Sequence, residues 1–354
     1  MGMYKMRKTA LISTLLLLFL VVSSFATGVF PKHMKDYILQ WQATQLFGNR
    51  VAAMPNVDYK KEMILLIEKI STYSKARKPS FQVIGNNGLG LFEREKVGDE
   101  SLGILLKSVD GIIMEGFHYG WEMKDNARTT ASVRGNLDQS LVGPIAQKLP
   151  ILNIDYCNIL QRMDRSYQFN DESGFIGFAA DSRQLDTIPD YPKSIHHEND
   201  NNISNLRQVK NFIVLFNPHA FSDKQSYLER LRKTNYDLLI IDLYFNGDLL
   251  TPCDVASLKV KKNGASRLVF SYMSIGEAED YRSYWDSTWS TKPPKWMAEK
   301  NPDWPGNYKV KYWTSEWKNI LYGSPNAYLD KVLAAGFDGT FLDVVDAFEY
   351  FEEK

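Results

Sequence analysis

The sequence predicts an α/β protein folded as one (β/α)8 barrel. Three observations lead there. Eight short apolar, β-branched runs recur along the chain, bounded by Gly, Asn, Asp or Pro. Helical patterns fill most of the gaps between them. A length of 354 residues suits one large barrel, and 44% apolar content can bury its core. Lys and Arg number 42 against 42 Asp and Glu, so net charge gives no footprint for nucleic acid or an anionic membrane face. Two cysteines, Cys157 and Cys253, allow at most one disulfide and cannot build a metal cage alone.

The elements follow in order. Residues 1–26 read as an export signal: Lys5, Arg7 and Lys8 precede an apolar stretch from Ala10 to Val22, and Ser24-Phe25-Ala26 offers a small-x-small cleavage pattern. That stretch is short for a membrane span, so a secreted or periplasmic protein without a stable span after cleavage is expected. Residues 27–354 then form the barrel, with half-barrels at 50–190 and 206–354 and a polar linker at 191–205. A helix places Met63, Leu66, Ile67 and Ile70 on one face. The strands of the first half are Phe81–Ile84, Gly111–Met114, Ile151–Ile154 and Phe175–Phe178. Those of the second are Phe212–Leu215, Leu238–Ile241, Leu268–Tyr272 and Thr340–Leu342. Tyr227, Leu228 and Leu231 mark one helix of that half, and Tyr328, Leu329, Val332 and Leu333 another. No phosphate-binding loop follows any strand: Gly85-Asn86-Asn87-Gly88-Leu89-Gly90 lacks both the spacing and the Lys.

Polar residues gather where the strands end, which in a barrel is the catalytic face. Those ends carry Asn86 and Asn87, Glu115, Asp155, Asn217, Asp242, Ser274 with Glu277, and Asp343 with Asp346. Some of the Asp residues will serve as helix caps. Glu115 resists that reading, because it lies between Gly-Ile-Ile-Met and Gly-Phe-His-Tyr-Gly. No HxH, HExxH or Cys/His pair accompanies the acids, and His118 is the only histidine near a strand end, so neither a catalytic metal nor another cofactor is expected. Several carboxylates around one mouth suit glycoside cleavage, in which one carboxyl protonates the leaving oxygen and another, ionised, meets the oxocarbenium-like centre. Six of the eight Trp fall between residues 285 and 317, in a long connection that includes Trp304 and Trp313. Their flat faces suit sugar rings, although about half are expected to pack the loop against itself.

Ser271-Tyr272-Met273-Ser274-Ile275-Gly276-Glu277-Ala278-Glu279-Asp280-Tyr281-Arg282 resembles the hallmark of glycoside hydrolase family 114, the endo-α-1,4-polygalactosaminidases and related hydrolases. The stretches from Asn301 to Trp313 and from Ala335 to Tyr350 resemble it equally. The first half is similar to the portion that usually follows the Phe-Leu-Asp-Val-Val-Asp segment. Val83-Ile84-Gly85-Asn86-Asn87-Gly88 stands where many members show Pro-Gln-Asn-Gly. Asp110 to Gly120 resembles the strand with the second family acid, and Asp155-Tyr156-Cys157 and Gly174 to Arg183 resemble later strands. The resemblance thus implies a barrel whose halves are in circularly permuted order, with the Phe81 strand beside the Thr340 strand.

It also implies that Asp343 and Glu115 are the catalytic pair and that Asp242 and Glu277 line the reacting subsite. Tyr272, Asp155, Asn87, Tyr119, Trp304 and Trp313 are further substrate-binding candidates. The implied partner is an α-1,4-linked, partly de-N-acetylated galactosamine polymer, an amino sugar that a carboxylate-rich mouth would attract. Glu115 is expected as the proton donor, desolvated by Met114, Phe117 and Tyr119, and Asp343 as the ionised partner. A catalytically silent polysaccharide-binding barrel is the alternative.

Overall fold

The computed structural model describes residues 57–354. The expected signal at 1–26 and the barrel region before 57 lie outside the described residues. In chain order the first half contains α1 (Tyr59–Arg77), β1 (Gln82–Asn86), α2 (Arg94–Ser108), β2 (Gly111–Glu115), α3 (Ala131–Ser140), α4 (Val142–Ala146), β3 (Ile151–Tyr156), α5 (Leu160–Ser173) and β4 (Ile176–Ala180). The second contains β5 (Phe212–Leu215), α6 (Lys224–Arg232), β6 (Leu238–Ile241), a small hairpin of β7 (Tyr244–Phe245) and β8 (Asp248–Leu249), and α7 (Pro252–Leu258). After these come β9 (Leu268–Ser274), β10 (Glu277–Glu279), β11 (Met297–Lys300), β12 (Asn307–Val310), α8 (Ser315–Leu321), α9 (Tyr328–Ala335), β13 (Gly339–Asp343) and α10 (Ala347–Glu352).

Eight strands pair in parallel in the order β4-β3-β2-β1-β13-β9-β6-β5. They are the eight apolar runs, each within two residues of its expected bounds. β1, β5, β6 and β9 are buried along their whole length, as parallel strands covered on both faces must be. β1 pairs with β13, setting Val83 against Thr340, so the two halves meet as one sheet. The ends of the sheet, β4 and β5, approach one another: the Phe178 and Phe212 rings lie 5.7 Å apart, and the Phe216 N–H donates to the Leu185 carbonyl at 2.9 Å. This makes a nearly closed (β/α)8 barrel.

A repeated device fixes the strand starts. Asp110, Asp237 and Asp338 each precede a strand, and each carboxylate accepts from a backbone N–H at the start of the neighbouring one: Val83 at 2.8 Å, Lys210 at 2.8 Å and Val269 at 3.2 Å. Asp237 is fully buried and pairs at 2.6 Å with an equally buried Lys261. Such a pair endures only when its remaining polar atoms are also met. Asn199 supplies part of that, through its side-chain amide to Asp237 and its carbonyl to Lys261.

The polar stretch expected as a linker is therefore packed structure. Ile203 and Leu206 are buried, and the Leu206 N–H donates to the Gln82 side chain at 2.8 Å. Where other units place a helix between strands, β4 and β5 are joined by this strap and a single 3-10 turn at Leu206–Gln208. At the other junction, the Tyr59 ring of α1 lies 5.5 Å from Phe351 of α10, and Lys60 pairs with Glu352. α1 thus occupies the helical position between β13 and β1.

Candidate active site at the barrel mouth

Parity along each strand decides which end residues face the mouth, because side chains alternate between the two faces. Glu115 is in register with Ile154, so Tyr156 shares its face and Asp155 does not. Asn86 falls in register with Ile113, two residues before Glu115, and so joins the same set. Phe341 pairs with Tyr272 and with Ile84, placing Asp343 there too. Asn86, Glu115, Tyr156, Tyr272 and Asp343 converge as a result.

The centre of the site is an amide shared by two acids. Asn86 Nδ2 donates to Glu115 Oε1 at 2.8 Å and to Asp343 Oδ1 at 2.9 Å. Tyr156 donates its hydroxyl to the other Glu115 oxygen at 2.5 Å. Asn87, in a left-handed conformation, accepts the Glu115 N–H on its side-chain oxygen at 3.3 Å, so it positions the strand end. Burial pushes the Asp343 carboxyl up to about 6, and the neighbouring Glu115 charge pushes the same way. Hydrogen bonds from Asn86, the Val344 N–H and Tyr272 oppose them. Asp346 is pushed up to about 7, by burial first and then by Asp343 and Glu349.

The apolar neighbours expected to desolvate Glu115 lie elsewhere. Phe117 packs edge-on against Phe175 at 5.2 Å, and Tyr119 joins a separate cluster with Cys157, Met163, Tyr167 and Ala179. Tyr119 is thus held on the α5 side, away from the acid pair. His118 is buried among Phe117 and Phe169, and burial lowers its imidazole to about 4, leaving a neutral core histidine.

The remaining acids are already engaged by the protein. Asp155 is fully buried and faces α5. It accepts the His118 and Tyr119 N–H groups at 2.9 and 3.0 Å and the Ser166 hydroxyl at 2.6 Å, so it shapes the loop after β2. Glu277 pairs with Lys309 at 2.5 Å and accepts the Asn301 and Asn307 amides. Arg282 lies between Asp242, at 2.8 Å, and Glu279, at 2.6 Å. Burial raises the Asp242 carboxyl while Arg282 opposes that rise. Tyr272, stacked on Phe341 and edge-on to Phe216, also has its hydroxyl 3.2 Å from Glu279. Tyr156, Glu279 and Arg282 are the site residues that strand-end reading missed, while Asn86 was named at a strand end without a role; only the period-two phase of β3 could have exposed Tyr156.

The long connection after β9 is itself structured. β10, β12 and β11 form a three-stranded antiparallel sheet beside the mouth. Trp285, Trp289, Trp296 and Trp317 follow one another at ring distances of 5.2, 5.1 and 5.2 Å, a column that packs the connection onto the barrel. Trp313 rests between Tyr59 at 5.0 Å and Phe351 at 4.8 Å, a packing position. Trp304 stays 43% exposed.

The backbone around Asp343 is forced. Val344 adopts φ 58°, a genuine outlier for a β-branched residue. Its carbonyl would stand 2.3 Å from a Cβ at position 276, so only glycine fits there. Strain of this kind persists where surrounding structure over-determines it, and it often marks functional sites.

Fold and site together define a barrel with a carboxylate pair at the C-terminal ends of its strands. Residues 223–354 match the model of the glycoside-hydrolase family GH114. An uncharacterized protein of Methanocaldococcus jannaschii is 38% identical over 182 residues, covering 51% of this chain and 50% of that protein. An uncharacterized protein of Thermotoga maritima is 38% identical over 124 residues, covering 35% of this chain and 37% of its own length. One from Deinococcus radiodurans is 35% identical over 130 residues, or 37% and 40% of the two chains. The matched part thus spans half or less of these relatives.

Proposed function

We propose that the protein is a retaining glycoside hydrolase, with Asp343 as nucleophile and Glu115 as acid and base. The single observation that carries this is the shared Asn86 amide. Its two hydrogens point about 120° apart, so acceptors at 2.8 and 2.9 Å stand about 5 Å from one another. Carboxyls about 5–5.5 Å apart suit retention, whereas inversion needs about 6.5–9.5 Å to admit a water. Glu115 protonates the leaving oxygen as Asp343 bonds to the anomeric carbon. Glu115 then takes a proton from water, which displaces Asp343 from the sugar. The match of residues 223–354 to a glycoside-hydrolase family supports the reaction class.

The substrate is an α-1,4-linked galactosamine-containing exopolysaccharide, and the protein acts on it after export through the signal at 1–26. The motif resemblance supports both the polymer and its endo-cleavage. Attraction of a cationic sugar adds less support, since Arg282 and Lys309 already neutralise Asp242, Glu279 and Glu277. Among the described residues, no helix is long and apolar enough to cross a membrane.

The test is purified protein against a panel of amino-sugar and neutral polymers, read by mass spectrometry for new reducing ends. Oligomers should come from galactosamine polymers alone, with configuration retained in proton NMR of early product. Glu115→Gln should remove cleavage of the polymer while sparing activated aryl glycosides; Asp343→Asn should abolish both. Intact polymer cleavage by Asp343→Asn would remove the basis of the proposal.

A further inference from the structure

We propose that Asp171, His196 and His197 bind a divalent transition ion of the Zn²⁺ type, clasping the strap between β4 and β5 to the end of α5. The cluster lies at the strands' N-terminal end, opposite the acid pair, and takes no part in the chemistry proposed above. His196 Nε2 is 3.0 Å from one oxygen of Asp171, and His197 Nε2 is 2.9 Å from the other. The three donor atoms lie within 4.8 Å of one another. Zinc bonds imidazole nitrogen at about 2.0–2.1 Å and carboxylate oxygen at about 2.0–2.2 Å, so a small movement lets one ion take all three.

The backbone explains how two consecutive histidines come to share a target. Successive side chains of an extended chain point to opposite sides. Here His197 adopts φ 55°, which brings its ring to 4.0 Å from that of His196. The turn is held from behind, because the His197 carbonyl accepts the Asn199 and Asn211 side-chain amides at 3.0 and 2.9 Å. Tyr167 packs its ring 4.5 Å from His196 and fixes that imidazole in turn. Asp171 and His197 line an open groove of about 980 Å³, so solvent can complete a tetrahedral set. Two imidazoles and a carboxylate suit zinc, copper or nickel rather than calcium or magnesium.

The place gives the clasp a purpose. Among the described residues no α-helix joins β4 to β5, and the strap in its place is the connection between the two halves of the barrel. An ion joining the last turn of α5 to residues 196 and 197 would hold that strap down, stabilising the folded state by mass action.

The experiment uses the full chain without a polyhistidine tag, stripped with EDTA and dialysed against Zn²⁺. One zinc per chain should remain by plasma mass spectrometry, and Tm should rise by about 4 °C or more over the EDTA sample. Co²⁺ should give visible bands of a tetrahedral nitrogen–oxygen site. Asp171→Asn and His197→Asn should each weaken zinc at least about tenfold, Asn being chosen at 197 because it tolerates a left-handed backbone. His219→Asn, on an exposed turn, should change nothing. Failure of the wild-type chain to retain zinc and to give the cobalt bands would overturn the proposal. So would equal retention by the Asp171 and His197 variants.

Discussion

Asp343 shows what burying a carboxyl beside another acid costs in stability. Burial and the Glu115 charge lift it to about 6, while in the unfolded chain an Asp titrates near about 3.9. The folded state therefore binds this proton more tightly than the unfolded one. The penalty is complete above pH about 6 and fades as pH falls toward 4. Asp343→Asn should raise stability by about 1–3 kcal/mol near neutral pH, and by less near pH 4.5, while removing activity. Paired denaturant melts at the two pH values check the sign. An equal gain at both would detach it from ionisation. The same titration sets the acid limb of the rate: kcat/KM should climb with pH through about 6 as Asp343 becomes an anion. Asp346, itself pushed up to about 7 in part by Asp343, titrates together with it, so the limb reports the pair rather than a single residue.

At the scale of elements, the strands were legible and the phase of their last residues was not. Runs such as Phe212–Leu215 and Leu238–Ile241 announce themselves because a parallel strand buried on both faces is apolar throughout. That same uniformity hides which face each residue takes. Asp155 looked like a mouth acid from its place at a strand end, yet one residue of phase turns it toward Ser166 and Asn170 on α5 and gives the mouth to Tyr156. Asn86 and Asn87 were both visible, but only the three-dimensional convergence of β1, β2 and β13 makes Asn86 the shared donor. In the long connection, aromatic content was legible and its division between packing and exposure was not, because β10, β11 and β12 pair only after the chain has returned over the mouth. Trp313→Ala should cost about 3–5 kcal/mol, as for a ring packed on two others. Trp304→Ala should leave stability within about 0.5 kcal/mol and weaken binding of a polymer or its oligomers. Thermal melts with calorimetric binding separate the two. A large loss of Tm on removing Trp304 would reassign it to packing.

At the scale of the molecule, the two ends of the described chain meet at a helix boundary, and the seam of the sheet falls in its middle. β1 and β13 are paired neighbours, with α1 beside α10, so joining Lys354 to Asp58 would complete a βα connection without opening the sheet. The family match covers residues 223–354, the part that carries β13 and Asp343. A chain in which Lys354 is joined to Asp58 by a short Gly/Ser linker and opened between the exposed Asp200 and Asn201 should therefore fold, starting with β5 and ending with β4. It would keep the pairing of Asp343 with Glu115 through Asn86 and the clasp at Asp171, so both its near-UV circular dichroism and its cleavage of polymer should follow the parent. The separate halves, 58–200 and 201–354, should not behave this way. Each would expose the edge that β1 or β13 now covers, and unpaired parallel edges invite aggregation. Two halves that melt independently with sharp transitions would mean two domains and not one barrel. A reordered chain that fails to fold while the parent remains sound would mean that the present order of the halves is needed for folding.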